Sequence, residues 1–268
     1  MLREITLGQY YPVDSFIHRL DPRVKLAGTF LFLIALFVVN SWTAYGLLAL
    51  ILWGFILLSK VPFSFMVRGL KSVVFLLLLS VSFNLFLTPG EVILQLSFLK
   101  MTKEGLQVAS MMAFRLVMLV LSSSILTLTT TPNSLTDGME KGLGIFKVFH
   151  FPVHEIAMMM SIALRFIPIL VEETDKIMKA QMARGADFES GSIFDRAKAM
   201  VPILVPLFVS AFRRAYDLAM AMEARCYQGG EGRTKMKPLR YTGADYLSYL
   251  VLFLILGLAI GSRFIALP

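Results

Sequence analysis

The sequence predicts an all-α fold: a polytopic integral membrane protein with about five transmembrane helices and long amphipathic helices on its cytoplasmic face. Composition is the first reason, because 57% of the 268 residues are hydrophobic and only 16% are charged, whereas soluble domains carry about 25% charged residues. Mean hydropathy is +0.72. The second reason is that apolar runs of membrane-spanning length recur along the chain. The third is that Lys and Arg are concentrated in alternate connections between these runs.

The first apolar run covers residues 26–58. As one helix it would be about 50 Å long, whereas the core of a bilayer is about 30 Å thick. We therefore predict two short spans joined by a tight turn at residues 40–42. The first span is expected to begin at Asp21 and Pro22, since Asp is a favoured N-cap and Pro suits the first helical turn. Lys25 would then lie at the lipid headgroups.

Three further spans are predicted, at residues 70–87, 106–128 and 246–260. The fourth span contains Arg115, which must face protein, water or the interface because a charged side chain is costly in lipid. Two interpretations of Arg115 stay open. One is a structural pairing or interfacial position, and the other is a contact that takes part in engaging a partner.

The distribution of positive charge predicts the orientation. With the N-terminus inside, the inner segments hold 22 of the 26 Lys and Arg residues, as expected for cytoplasmic loops. We expect a multi-pass protein of the cell membrane, with a cytoplasmic arm at 1–25, four spans within 26–128, a cytoplasmic-face coupling region at 129–243 and a final span within 244–268. Because this topology accounts for the net charge of +8, no nucleic-acid partner is expected.

The coupling region has two apolar runs, 156–171 and 200–212, which are interrupted by one arginine and three prolines. Each run is too short or too interrupted to predict a span with certainty. We favour long, kinked amphipathic helices that lie along the inner membrane surface, in contact with the lipid bilayer. If both runs crossed the membrane instead, every other segment would stay on the same side of the bilayer. Charge counting therefore leaves this alternative open.

The sequence contains little of the chemistry that an enzyme needs. It has no Gly-x-x-x-x-Gly-Lys-Ser/Thr phosphate loop, so ATP hydrolysis by this chain is not expected. Its three histidines and single cysteine are scattered, and we expect neither a metal site nor another cofactor. The first four spans contain no carboxylate, which disfavours ion-coupled carriers. Two alternatives are kept: a polytopic membrane enzyme that uses His150, His154 and Glu155, and a permease that translocates the substrate itself.

A short motif occurs twice in the coupling region. Ala-Gln-Met-Ala-Arg ends at Arg184, and Ala-Met-Glu-Ala-Arg ends 41 residues later at Arg225. Each copy ends a predicted helix, where Arg offsets the helix dipole and a following Gly favours a C-cap. Capping alone needs no second copy, so the repetition indicates two exposed arginines that bind a two-part soluble partner. The candidate site residues are Ala183, Arg184, Gly185, Ala224, Arg225 and Cys226.

These two motifs, with the opening run Ser-Phe-Ile-His-Arg-Leu-Asp-Pro-Arg-Val-Lys-Leu at residues 15–26, resemble the transmembrane T component of energy-coupling factor (ECF) transporters, the EcfT family. The resemblance implies that Arg184 and Arg225 each insert into a groove on one of two ABC-type ATPases. It also implies that the helices bearing them are coupling helices, which transmit ATP-driven closure to a membrane-embedded S component. In that family the S component binds the vitamin or metal ion, so this chain would be a non-catalytic subunit for micronutrient uptake.

One position departs from the family pattern, because Cys226 stands where glycine is usual. Gly185 in the first copy of the motif predicts a left-handed residue after the helix. For the second copy, the sequence gives no reason to expect a positive φ after Arg225.

The methionines of the coupling region allow two interpretations. They are ordinary apolar filling in a membrane protein, or they form a flexible surface that repacks against S components, including several interchangeable ones. The candidate contacts in the second case are Met158, Met159, Met160, Met178 and Met182.

Overall fold

The computed structural model describes residues 10–96, 99–142, 144, 152–188, 192–229 and 238–264. Nine helices occur in these ranges: α1 Phe16–Arg19, α2 Pro22–Val38, α3 Trp42–Ser59, α4 Phe63–Leu87, α5 Lys103–Thr129, α6 Pro132–Gly142, α7 Val153–Ala183, α8 Ile193–Ala224 and α9 Gly243–Phe264. An antiparallel hairpin of two short strands, β1 Val92–Leu96 and β2 Leu99–Thr102, lies between α4 and α5. The predicted all-α polytopic fold is confirmed, with this hairpin as a small addition that no sequence pattern indicated.

The chain divides into two compact units. The bundle unit consists of Gly8–Met139 and Leu239–Pro268 and contains α1 to α5 and α9. The arm unit contains α7 and α8 within Glu140–Pro238. The division falls inside α6, directly after Met139.

The predicted division of the first apolar run is confirmed. α2 ends at Val38 and α3 begins at Trp42. At the start of α2, the Asp21 side chain accepts a hydrogen bond from the N–H of Arg23 at 2.9 Å. Pro22 occupies the first helical position. Both features follow from the local preferences of Asp and Pro at a helix start.

A buried carboxylate joins the start of α2 to the start of α9. Asp245 is 1% exposed, and its Oδ1 accepts the N–H of Asp21 at 2.9 Å. Its Oδ2 accepts both the N–H and the hydroxyl of Thr242, each at 2.7 Å. Sequence reasoning missed this contact. The sequence carries a signal for the bonds to Thr242 but not for the bond to Asp21: Thr-x-x-Asp at residues 242–245 is typical of a capping box.

Arg115 is held by protein groups of the bundle unit. Its Nε donates to the hydroxyl of Tyr45 at 2.8 Å, and its Nη2 donates to the carbonyl of Val39 at 3.2 Å. Tyr45 is fully buried in the hydrophobic core of the bundle. The structure therefore shows a structural pairing, which was one of the two interpretations of Arg115.

Lys25 is held in a similar way near the other end of α2. Its Nζ donates to the carbonyls of His18 at 3.1 Å and Thr129 at 2.9 Å. Lys25 and Val39 are separated by 14 residues along α2, as are Arg115 and Thr129 along α5, which corresponds to about 21 Å of helix. The two helices therefore run antiparallel between two layers of polar contacts.

Among the described residues, five helices are long and apolar enough to cross a membrane: α3, α5, α7, α8 and α9. α4 would be a sixth if its segments Phe63–Lys71 and Val73–Leu87, which are bent by 61°, form one span. α2, the first predicted span, has 17 residues and is about 26 Å long, slightly less than a bilayer core of about 30 Å. By length and composition, the helices of the arm unit thus qualify as spans and α2 falls just short.

Candidate functional site

The first arginine motif forms a regular cap at the end of α7. The helix ends at Ala183, and Gly185 follows with a positive φ of +88°. The N–H of Gly185 donates to the carbonyl of Met182 at 3.0 Å, and the N–H of Ala186 donates to that of Gln181 at 3.0 Å. This pair of bonds is the Schellman motif, in which a left-handed residue lets the chain satisfy the last helical carbonyls.

The second motif forms the same cap at the end of α8. The N–H of Cys226 donates to the carbonyl of Glu223 at 2.8 Å, and the N–H of Tyr227 donates to that of Met222 at 3.0 Å. Cys226 has a φ of +54°, although the sequence gave no reason to expect a positive value. A residue with a Cβ pays about 1–2 kcal/mol in this conformation, so the cap is formed here at an energetic cost that Gly185 avoids.

Arg184 and Arg225 occupy equivalent positions in these caps. Both side chains are exposed, and neither guanidinium has a hydrogen-bond or ion-pair partner among the described residues. Each arginine is therefore a charged, planar donor at the rigid end of a long helix. Such a group is suited to carboxylate or carbonyl acceptors on another molecule.

α7 and α8 pack against each other as an antiparallel pair. Arg214 Nη2 lies 2.7 Å from Glu173 Oε2, and the Ser210 hydroxyl donates to Glu173 Oε1 at 2.6 Å. Farther along α7, Gln181 Nε2 donates to the carbonyl of Pro202 at 3.5 Å. Residues near the end of α7 therefore lie beside residues near the start of α8.

The antiparallel arrangement separates the two arginine caps. Pro202 lies beside Gln181, close to Arg184, whereas Arg225 lies 23 residues further along α8. At 1.5 Å per helical residue, this places the caps about 35 Å apart. They lie at opposite ends of the α7–α8 pair.

The ion pair between the helices relates equivalent positions of the repeat. Glu173 lies 11 residues before Arg184, and Arg214 lies 11 residues before Arg225. The contact therefore joins the two copies of the repeat at matching distances from their caps. It lies near the middle of the α7–α8 pair.

A cavity of about 630 Å³ adjoins the cap of α8. Its lining includes Arg225 together with Arg165 and Met158 of α7. Met158, one of the candidate S-component contacts, thus lines the same cavity as the arginine of the α8 cap.

The remaining candidate methionines differ in exposure. Met159, Met160 and Met182 are 58%, 44% and 50% exposed, whereas Met158 and Met178 are half-buried. Of the five, these first three are the ones whose side chains are exposed to another molecule. The five methionines are thus divided between the surface of the arm unit and its interior.

Two of the three residues named for a membrane enzyme, His154 and Glu155, lie in different surroundings. His154 Nδ1 lies 2.9 Å from Glu140 Oε1, while Glu155 is exposed. The Nε2 of His154 is buried without a hydrogen-bond partner in the described ranges. His150 lies outside the described residues. Within those residues, no group of three or more His, Cys, Asp or Glu side chains is placed to hold a metal ion.

Comparison with known proteins identifies the family. The family described as cobalt transport protein, CbiQ, matches residues 14–236. A Thermosediminibacter oceani protein is 53% identical over 264 residues, which cover 98% of this chain and 100% of the relative. A Clostridium kluyveri protein is 51% identical over 98% of each chain, and a Bacillus subtilis protein is 52% identical over 91% of this chain and 93% of the relative.

All three relatives are named energy-coupling factor transporter transmembrane protein EcfT. They match nearly the full chain, including both arginine motifs, which confirms the resemblance inferred from those motifs and the opening run. The chain therefore belongs to the EcfT family of energy-coupling factor transmembrane proteins, within the cobalt transport protein family, and has a transport role in a membrane.

Proposed function

We propose that this chain is the non-catalytic coupling subunit of an ECF-type importer in the cell membrane. Two ABC-type ATPases would bind its two arginine caps on the cytoplasmic side, and a membrane-embedded S component would bind the vitamin or other micronutrient. The chain would transmit the ATP-driven motion of the ATPases to the S component. The cap residues assigned to the ATPases are Ala183, Arg184, Gly185, Ala224, Arg225 and Cys226.

The observation that supports this function best is that two copies of one motif end in the same Schellman cap with an exposed arginine. A Schellman cap fixes the direction of the last helical turn and of the residue that follows it. A guanidinium held in this way loses little conformational entropy on binding a groove of acceptors. Two such groups suit two homologous subunits, each of which binds one cap.

The separation of the caps favours helices that lie along the membrane. If α7 and α8 crossed the bilayer as an antiparallel pair, caps about 35 Å apart at opposite ends would lie on opposite faces of a core about 30 Å thick. ATPases work on one face only, where ATP is available. Both caps can reach the cytoplasmic face if the α7–α8 pair lies along the inner membrane surface. This is the arrangement favoured from the sequence, and two additional spans were its alternative.

The exposed side of α8 is consistent with this placement. Large apolar side chains are exposed at intervals of three or four residues, which is the spacing of one helix face: Val201, Val205, Phe208, Phe212, Tyr216 and Met220. An amphipathic helix with such a face binds the boundary between headgroups and acyl chains, or an apolar surface of a membrane partner.

The route of transmission follows from the rigidity of the caps. A force on Arg184 or Arg225 acts on the end of a helix of 31 or 32 residues. The Glu173–Arg214 ion pair joins the two helices, so a displacement of one reaches the other. Met159 and Met160, which are exposed on α7, are then the best candidates for contact with the S component.

Charge reversal at both caps tests this function. The double variant Arg184→Glu, Arg225→Glu should stay inserted in the membrane, lose both ATPases in a mild-detergent pull-down and abolish uptake. The matched control is Arg213→Glu, since Arg213 is an exposed arginine of α8 away from the caps. In the same assay, Met159→Ala with Met160→Ala should lose the S component and keep the ATPases. Normal uptake by the double arginine variant would disprove the proposal.

The native thiol provides an independent readout of contact. Cys226 is exposed, so bound ATPase should slow its reaction with a maleimide. Exchanging the residues by Gly185→Cys and Cys226→Gly should transfer this protection to the α7 cap. A thiol that reacts equally fast with and without the ATPases at both positions would contradict binding at the caps.

A further inference from the structure

A cleft of about 270 Å³ opens in the bundle unit, apart from the arginine caps. Five helices line it: α1, α2, α3, α5 and α9. Most of its lining residues are apolar. Five polar residues also line it, and Lys25 is the charged one among them: Lys25, Thr29, Ser122, Thr129 and Ser248. The volume is near the lower limit of ligand pockets, which is about 300 Å³. It suits a slender apolar chain better than a ring system.

The cleft is elongated along the helices. On α2 its lining extends from Val24 to Phe32, and on the antiparallel α5 it extends from Thr129 to Ser122. Eight residues on α2 and seven on α5 correspond to a depth of about 10 to 12 Å. The charged end of the cleft therefore coincides with Lys25 and Thr129, while its interior is bounded by Phe32, Leu52 and Leu252.

Lys25 has one donor left for a ligand. Its ammonium group donates to two carbonyl oxygens, whereas an ammonium carries three N–H groups. It forms no ion pair with a carboxylate among the described residues. Two carboxylates lie near it without forming an ion pair with it, those of Asp21 and Asp245. Asp21 accepts the N–H of Arg23, and Asp245 is already occupied by the N–H of Asp21 and two donors of Thr242. A positive charge thus stands at the end of an apolar cleft without an anion bound to it.

We propose that this cleft binds one acyl chain of an anionic phospholipid, with the phosphate at Lys25. A membrane bundle is surrounded by the acyl chains of phospholipids. A cleft about 10 to 12 Å deep can accommodate the first part of one such chain. A phosphate oxygen would accept the third N–H of Lys25 and neutralise its charge in a medium of low dielectric constant. This site is independent of the arginine caps and of the coupling function.

Native mass spectrometry of the full-length chain tests the proposal. The protein is equilibrated with equal amounts of dioleoylphosphatidylglycerol, which is anionic, and dioleoylphosphatidylcholine, which is zwitterionic. We expect one phosphatidylglycerol molecule to be retained at least tenfold over phosphatidylcholine. Lys25→Met should abolish this preference, while Lys71→Met, which removes an exposed lysine of α4, should preserve it. Equal retention of the two lipids by the unmodified protein would overturn the assignment of an anionic headgroup.

Two adjacent serines of α5 test the position of the acyl chain. Ser122 lines the cleft, whereas Ser123 is exposed and does not line it. Ser122→Leu should fill the cleft and lower lipid retention at least tenfold, and Ser123→Leu should leave retention unchanged. Because Ser122 is buried and Ser123 is exposed, a Leu is more disruptive at Ser122. Thermal unfolding of both variants therefore accompanies the retention assay, and a loss of retention counts only in a variant that unfolds at the temperature of the unmodified protein. Equal retention by the two variants would place the lipid elsewhere and contradict the proposal.

Discussion

The caps of α7 and α8 have the same hydrogen bonds but differ in the residue that takes the left-handed conformation. Gly185 has a φ of +88° and Cys226 a φ of +54°. In both caps the N–H of this residue bonds to the carbonyl three residues earlier, and the N–H of the next residue bonds to the carbonyl five residues earlier. Glycine adopts this conformation without steric cost, whereas cysteine does not. The α8 cap therefore keeps the same turn and the same exposed arginine, although it lacks glycine, the residue best suited to the left-handed conformation.

The difference between the caps extends to the residues that flank them. A Schellman motif is frequently accompanied by an apolar contact between the residues joined by its longer hydrogen bond. In the α8 cap these residues are Met222 and Tyr227, whereas in the α7 cap they are Gln181 and Ala186. Met222 and Tyr227 also line the cavity beside Arg225. The α8 cap thus carries larger apolar residues than the α7 cap at the two positions where such a contact forms.

The largest expected effect comes from reversing one arginine at a time. Arg184→Glu and Arg225→Glu should each weaken binding of the isolated ATPases at least tenfold, which is about 1.4 kcal/mol, because an acidic side chain would repel an acceptor groove. We expect similar losses at the two caps, measured as dissociation constants in detergent with Arg213→Glu as the control. A loss confined to one cap would show that the shared hydrogen-bond pattern does not imply a shared role.

An intermediate effect is expected from exchanging the left-handed residues. Cys226→Gly should stabilise the α8 cap by about 1 kcal/mol, and Gly185→Ala should destabilise the α7 cap by about the same amount, since only glycine tolerates a positive φ without cost. Amide hydrogen exchange at Tyr227 and Ala186 measures this locally, because their N–H groups close the two motifs. Faster exchange at Tyr227 in Cys226→Gly would mean that its apolar neighbours, rather than the backbone, hold the α8 cap.

The smallest effect is expected at the ion pair between the helices. Glu173→Gln should cost about 0.5 kcal/mol, because the partly exposed pair with Arg214 is screened by solvent. The charge exchange Glu173→Arg with Arg214→Glu should restore most of the loss. Thermal unfolding of the purified chain measures both. Because the pair is equally far from the two caps, hydrogen exchange should rise at both caps together, and a rise at one alone would argue against a shared connection.

Local features of this fold could be predicted from the sequence because they depend on neighbouring residues. Asp21 and Pro22 start α2 as their own preferences require. The break between α2 and α3 follows from comparing the length of an apolar run with a bilayer. Each arginine cap is closed by bonds between residues three and five positions apart, so short motifs were sufficient to locate both.

The remaining features depend on contacts between distant residues. Nothing near Glu173 indicates that Arg214 is its partner, and nothing near Asp245 indicates the N–H of Asp21. The positive φ of Cys226 was missed because the hydrogen bonds of the cap, rather than the residue, determine it. The separation of the methionines into exposed and half-buried groups also required the antiparallel packing of α7 and α8.

The polar contacts of Lys25 and Arg115 have a consequence for the surrounding lipid. They lie about 21 Å apart along α2 and α5, whereas an undisturbed hydrocarbon core is about 30 Å thick. A bilayer adjusts to such a hydrophobic mismatch by thinning, at a fraction of a kcal/mol per Å. A second membrane protein that covers this side of the bundle replaces part of the thinned lipid and relieves that deformation. Where α2 and α5 face lipid, the short distance between their polar contacts would therefore favour contact with a second membrane protein.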